Sequence, residues 1–211
     1  MRKQRCNYDS LAIDLSRCIG CNTCAVACKV SNNLPKDVWW NVVHTEGRDF
    51  ADTSKGTYGG EMQLSWLPVN CMHCENAVCE EVCPTGATVK RDDGIVTVDE
   101  ETCIGCKSCM EACPYDVRRL IENEPEYYLE LPIGDPAAKS HKGGTVEKCD
   151  FCAGRIDRGE KPACMELCPG RARYWGDLDD PESEVSQFLS GRNATVLLEE
   201  EGTSPSVYYV S

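Results

Sequence analysis

The chain has 211 residues, seventeen cysteines and a formal net charge of −13. So acidic a balance argues against nucleic acid, which calls for a basic patch, and against anionic membrane surfaces. No run of about 18 apolar residues is present to span a bilayer, and MRKQRCNYDSLAIDL lacks the apolar stretch of about 7–15 residues that a secretory signal needs.

In chain order, residues 1–17 give a basic start and a strand on LAIDLSR, with Leu11, Ile13 and Leu15 on one face. Cys6 has no companion at ligand spacing and reads as an ordinary thiol. CIGCNTCAVACKV follows, with Cys18, Cys21, Cys24 and Cys28 in a C-x2-C-x2-C-x3-C run. No proline follows its fourth cysteine, so the helix is expected to continue through Lys29 and Val30. Residues 31–70 carry no assignable motif; Trp39-Trp40 reads as core packing ahead of a partner interface.

Cys71, Cys74, Cys79 and Cys83 form a second run with two extra residues before its third cysteine. ATVKRDDGIVTVD is then a hairpin turning at Asp93-Gly94. Cys103, Cys106, Cys109 and Cys113 repeat the first spacing, and prolines after Cys83 and Cys113 help to end short helices. Gly20 and Gly105 stand where the backbone must wrap tightly. Residues 120–145 read as a solvated or partner-contacting loop. The fourth group, Cys149, Cys152, Cys164 and Cys168, is stretched in the middle yet keeps its Cys-Pro ending before the strand RARYW. The tail has one short helix and two edge strands, ATVLLE and SVYYV, without ligand candidates. His73, between Cys71 and Cys74, could tune a neighbouring centre by hydrogen bonding; His44 and His141 sit in polar loops and point to nothing.

Disulfides, zinc and iron–sulfur compete for these cysteines. Disulfides between neighbours would close very short C-x2-C loops, and such frameworks belong to short secreted chains. Zinc prefers two separated C-x2-C pairs over three close cysteines and a fourth. The C-x2-C-x2-C-x3-C-P run is that of bacterial ferredoxins, in which the fourth cysteine serves the neighbouring cluster. No Ser/His/Asp arrangement, P-loop or dinucleotide fingerprint accompanies it.

A two-cluster ferredoxin runs strand, loop, helix, hairpin, loop, helix, strand. The expected fold is therefore α+β, two nested ferredoxin-like modules with long loops. Residues 1–30 and 145–180 make the outer module and 65–120 the inserted one; 31–64 and 121–144 connect them, and 181–211 form a tail. Exchange of fourth cysteines then predicts four ligand sets, each suited to one [4Fe–4S] cluster. In the outer module, Cys18, Cys21 and Cys24 take Cys168, while Cys149, Cys152 and Cys164 take Cys28. In the inserted one, Cys71, Cys74 and Cys79 take Cys113, while Cys103, Cys106 and Cys109 take Cys83.

These groups, in this order and with the long gap in the fourth, resemble the four-cluster iron–sulfur subunits of the molybdopterin oxidoreductases, the dimethyl sulfoxide reductase family. The resemblance covers about residues 10–180, and PVNCMHCENAVCEEVCPTGA and CIGCKSCMEACPYDVR carry it most strongly. GDLDDPESEVSQ is similar to the branch of arsenate, polysulfide and tetrathionate reductases and some catechol dehydroxylases. The nitrate reductase branch has tryptophan at the position of Cys106, which this chain does not. The resemblance implies an electron-transfer subunit without catalysis of its own, beside a large molybdopterin subunit holding molybdenum or tungsten. It also implies a membrane quinone-oxidising partner and an extracytoplasmic position reached by co-export, with a cytoplasmic complex as the alternative. Electrons would enter at the Cys18, Cys21, Cys24 and Cys168 cluster on the pterin side and end at that of Cys103, Cys106, Cys109 and Cys83. A free-standing polyferredoxin and the beta subunit of a transhydroxylase-like enzyme remain open alternatives.

Overall fold

Alternation of Leu11, Ala12 and Ile13 gives a strand with two unlike faces, and this strand is the centre of the main sheet. The computed structural model describes residues 9–45, 56–57, 59–138 and 140–211; Cys6 lies outside them. The first half contains β1 (Asp9–Asp14), α1 (Thr23–Ser31), β2 (Val42–Thr45), β3 (Trp66–Val69), α2 (Val78–Glu81), β4 (Thr88–Lys90) and β5 (Val96–Val98). There follow α3 (Ser108–Glu111), β6 (Arg119–Ile121), β7 (Thr145–Glu147), α4 (Ala153–Ile156) and α5 (Ala163–Glu166). The chain ends with β8 (Arg173–Asp177), α6 (Glu184–Leu189), β9 (Ala194–Thr195) and β10 (Val207–Val210). The result is an α+β fold with short helices, none among the described residues long and apolar enough to cross a membrane.

The main sheet has the order β8-β1-β10-β9, with β1 antiparallel to β8 and parallel to β10. On one face Leu11 and Ile13 join Trp40, Met72, Ile95, Phe151, Val207 and Tyr209 in a single core. Ile95 belongs to the β4–β5 hairpin, so this core runs from the sheet into the middle of the chain. Removing its fully buried side chain to alanine would cost about 2–5 kcal/mol. On the other face α6 lays Val185 and Phe188 over Ala12 and Val210, and Phe188 stacks on Tyr174 at 3.8 Å. Ser183 caps α6 by accepting the Ser186 N–H at 3.2 Å.

Among the helices that carry a third cysteine, lengths follow the prolines. The four-residue helices α2, α3 and α5 end ahead of Pro84, Pro114 and Pro169, whereas α1 runs for nine residues with Lys29 in the position of the proline. Lys29 is buried: its ammonium donates to the carbonyls of Pro35, Lys36 and Val38 and lies 4.6 Å from the Trp39 ring centroid. The two tryptophans divide, Trp40 entering the core and Trp39 remaining partly exposed.

The hairpin is β4–β5, pairing Thr88 with Val98, and Gly94 has a φ of 84° in its turn. The connections also hold two ladders with no sequence motif, β2–β3 and β6–β7. His44 is consequently in a strand, β2, and not in a loop. The tail corrects the expectation of two edge strands. ATVLLE pairs only through Ala194 and Thr195, while SVYYV supplies an interior strand between β1 and β9. Burial of Val207, Tyr209 and Val210 is the physical reason. The tail also straps down the loop that begins at Cys71. Ser206 N–H donates to Met72 O, Ser206 Oγ to His73 O, and the N–H groups of Glu75 and Asn76 to the carbonyls of Ser204 and Thr203.

Candidate metal centres

Each cysteine group opens with the same backbone turn. The residue before its second cysteine is left-handed in all four cases: Gly20 at φ 66°, His73 at 43°, Gly105 at 63° and Phe151 at 56°. A Cβ at Gly20 would overlap the Trp66 ring, and one at Gly105 the carbonyl oxygen of Gly144, so these two glycines are obligatory. His73 and Phe151 carry a left-handed cost of about 1–2 kcal/mol each. They are buried against one another, with ring centroids 3.8 Å apart and planes at 25°. The glycines were legible in the sequence; the equivalence of His73 and Phe151 was not. The third and fourth cysteines of each group lie four residues apart, one helical turn, so the pair is displaced along the helix axis and can face different centres.

The thiols gather across the chain. Burial and then the neighbouring thiols of Cys149, Cys152 and Cys164 push Cys28 well up. Cys18 is raised by burial with Cys24 and Cys168 beside it. Burial, with Cys71, Cys79 and Cys113 as neighbours, pushes Cys74 up to about 12, and Cys106 has Cys83 nearby. Electrostatic influence also links one gathering to the next: Cys24 acts on Cys164, Cys71 on Cys149, and Cys79 on Cys109. Burial differs along this series. The first and last gatherings each hold one exposed thiol, Cys21 and Cys106, beside a buried one, Cys24 and Cys109, while Cys28, Cys71, Cys149 and Cys152 are buried between them.

The surroundings favour sulfur that carries negative charge. Backbone N–H groups point at it: Thr88 to Cys83 Sγ at 3.5 Å, Val146 to Cys103 Sγ at 3.4 Å and Ala172 to Cys168 Sγ at 3.5 Å. Although burial opposes it, the Thr88 N–H and the Thr85 hydroxyl bring Cys83 down to about 7. Two buried arginines face the gathered thiols, Arg118 toward Cys79, Cys109 and Cys71, and Arg173 toward Cys24, Cys164 and Cys168. Arg118 Nη2 has no hydrogen-bond partner among the described residues. Neutral thiols would leave these cations uncompensated, whereas thiolate-bound iron–sulfur clusters offer the missing charge and acceptors. The donor set therefore fits such clusters. Neither arginine stands out in the sequence, although each is the fifth residue after a Cys-Pro cysteine, Cys113 and Cys168.

His73 is fully buried, its Nδ1 accepting the Val96 N–H at 3.0 Å, which ties the Cys71–Cys74 turn to β5. His141 corrects the reading of an uninformative loop residue. It is buried, its Nδ1 lies 2.8 Å from both Glu147 carboxylate oxygens, and its Nε2 is 2.9 Å from Asn32 O. These bonds fasten the 122–144 connection to the end of α1 and to β7, for a structural role.

A family described as a 4Fe-4S dicluster domain matches residues 62–128 and 130–178, and a second family of that description matches 17–87. A Halobacterium salinarum protein bearing the name of a dimethyl sulfoxide reductase iron–sulfur subunit is 47% identical, covering 97% of this chain and 79% of its own. The arsenate respiratory reductase iron–sulfur subunit of a Shewanella species is 34% identical over 95% of this chain and 94% of its own. A tetrathionate reductase subunit of Salmonella typhimurium is 38% identical, with coverage of 95% and 71%.

Proposed function

The chain belongs to the 4Fe-4S dicluster family of reductase iron–sulfur subunits, and from that premise we propose that it relays electrons to or from a large molybdopterin catalytic subunit of the arsenate, polysulfide or tetrathionate reductase or catechol dehydroxylase type. It is a non-catalytic subunit, and it carries [4Fe–4S] clusters. The observation that supports a relay most directly is the succession of cysteine gatherings, whose first and last members each present an exposed thiol, Cys21 and Cys106. When bound, a [4Fe–4S] cluster supplies a site for one electron at a potential set by its ligands, hydrogen bonds and burial.

Our reading has four clusters. Cys18, Cys21, Cys24 and Cys168 hold the first; Cys28, Cys149, Cys152 and Cys164 the second; Cys71, Cys74, Cys79 and Cys113 the third; Cys83, Cys103, Cys106 and Cys109 the fourth. Support comes from the thiol neighbours of Cys18, Cys28, Cys74 and Cys106, each of which includes a cysteine from a distant group. It corresponds to an inserted ferredoxin-like module, 65–120, within an outer one made by 1–30 and 145–180. Pairing of β1 with β8 and the separate β4–β5 hairpin agree with that nesting. The first cluster faces the pterin side and the fourth the next carrier; Cys21 and Cys106, both exposed, belong to these two ends. A membrane quinone-oxidising subunit and an extracytoplasmic, membrane-peripheral position complete the proposal and rest on the resemblance.

Affinity purification of the tagged chain from its host under anaerobic conditions tests this reading. A stoichiometric partner containing molybdenum or tungsten and pterin is expected. Quantitative recovery of the chain alone, fully loaded with iron, would replace it with a free-standing carrier.

A further inference from the structure

A guanidinium taken out of water must find negative charge and acceptors nearby, or its burial is prohibitive. Arg118 and Arg173 are 1% and 4% exposed, and neither is ion-paired to a carboxylate among the described residues. Arg173 Nη1 donates to Asn70 Oδ1 at 3.2 Å and to Cys164 Sγ at 3.7 Å, and Nη2 to Asn41 Oδ1 at 3.3 Å. Arg118 Nη1 donates to Thr88 Oγ1 at 3.2 Å, and its Nη2 has no hydrogen-bond partner among the described residues. The two residues are equivalent in the chain, five positions beyond Cys168 and Cys113, and Thr88 is five beyond Cys83.

Each guanidinium also straddles two ligand sets. Arg173 faces Cys24 and Cys168 of the first cluster and Cys164 of the second; Arg118 faces Cys71 and Cys79 of the third and Cys109 of the fourth. We propose that Arg173 and Arg118 are shared counter-cations, one per module, each placed between two clusters so that it raises the reduction potentials of both together. The inference rests on the four-cluster reading above. A fixed positive charge stabilises the more negative, reduced form of any cluster beside it. Because the charge lies between two centres, it also offsets their mutual repulsion when both are reduced. The arginine is a positioning and tuning residue: it supplies field and hydrogen bonds, and no ligand.

The test is an EPR-monitored redox titration, with iron content, of the intact complex carrying Arg173→Gln, Arg173→Lys or Arg118→Gln. Arg173→Gln is expected to shift the reduction equilibria of the first and second clusters about tenfold or more toward oxidised, equivalent to about 59 mV per tenfold for one electron. The third and fourth should stay unchanged, and Arg118→Gln should show the reverse pattern. Arg173→Lys, which keeps the charge, should restore both shifted potentials at least halfway. If Arg173→Gln fails to load iron in the outer module, Arg173→Lys decides: near-native potentials support the proposal. Potentials unmoved in a loaded Gln variant, a shift confined to one cluster, or iron loss in both variants would overturn it. A native chain with about twelve irons or fewer refutes the four-cluster reading instead, so the two failures are distinguishable.

Discussion

Asp9 opens β1 with its carboxyl buried, and its N–H donates to the Asp93 carbonyl at the hairpin turn at 3.0 Å. Burial first, then the charges of Asp93 and Asp177, push its pKa from 3.8 up to about 7, with Arg91 pulling the other way. A carboxyl raised in this way holds its proton more tightly in the folded chain than in the unfolded one. Between about pH 4 and pH 7 the folded state therefore binds more protons, and stability falls as pH rises; above that window the loss is complete. Three units at about 1.4 kcal/mol each give a ceiling of about 4 kcal/mol. Water reaching the edge of the site reduces this to about 2 kcal/mol. Asp9→Asn keeps the shape and removes the charge. It should stabilise the anaerobic, iron-loaded protein by about 2 kcal/mol at about pH 8 and by roughly half as much at about pH 5.5, read by denaturant titration of cluster absorbance. An equal effect at both pH values, or destabilisation at the higher one, would refute the reasoning.

Other predictions follow from the site and its supports. Gly105→Ala meets both a left-handed φ and the Gly144 carbonyl, so it should lower iron content at the Cys103 group; Gly86→Ala, at φ 68° with open space around it, should cost only about 1–2 kcal/mol and leave iron intact. Burial lowers the His141 imidazole, but Glu147, the Asn32 carbonyl and Glu100 more than reverse this, with the Tyr127 ring also nearby. Its stabilising contribution is therefore complete below about pH 6.5 and lost as pH rises through its folded value. His141→Gln should cost about 1–2 kcal/mol at about pH 6 and less above about pH 8, measured by the same denaturant titration. The purified chain alone should exchange electrons with dyes and turn over no reductase substrate; turnover by the pure chain would contradict its non-catalytic role.

Much of the site was legible because cysteine spacing is a local signal. The groups, the Cys-Pro helix ends and the Asp93-Gly94 turn each lie within about twenty residues of chain. What escaped was non-local. Arg118 and Arg173 look like ordinary surface arginines until the fold encloses them between thiols. His141 reads as a polar loop residue until Glu147 and Asn32 O meet it from two other elements. SVYYV became an interior strand because β1 needs a parallel neighbour on the side away from β8, a demand that tail composition cannot express. The β2–β3 and β6–β7 ladders are short, and their partners lie more than twenty residues apart in the chain.

The exchange of fourth cysteines between the two cysteine groups of each module carries the whole account, and one comparison tests it without prior assignment of signals. EPR spectra of the reduced intact complex would be recorded for Cys168→Ala, Cys21→Ala and Cys74→Ala. Cys168→Ala and Cys21→Ala should lose the same cluster signal, with the other three retained and iron falling by about four per chain. Loss in Cys168→Ala of the signal that disappears in Cys74→Ala would contradict the nested ligand sets.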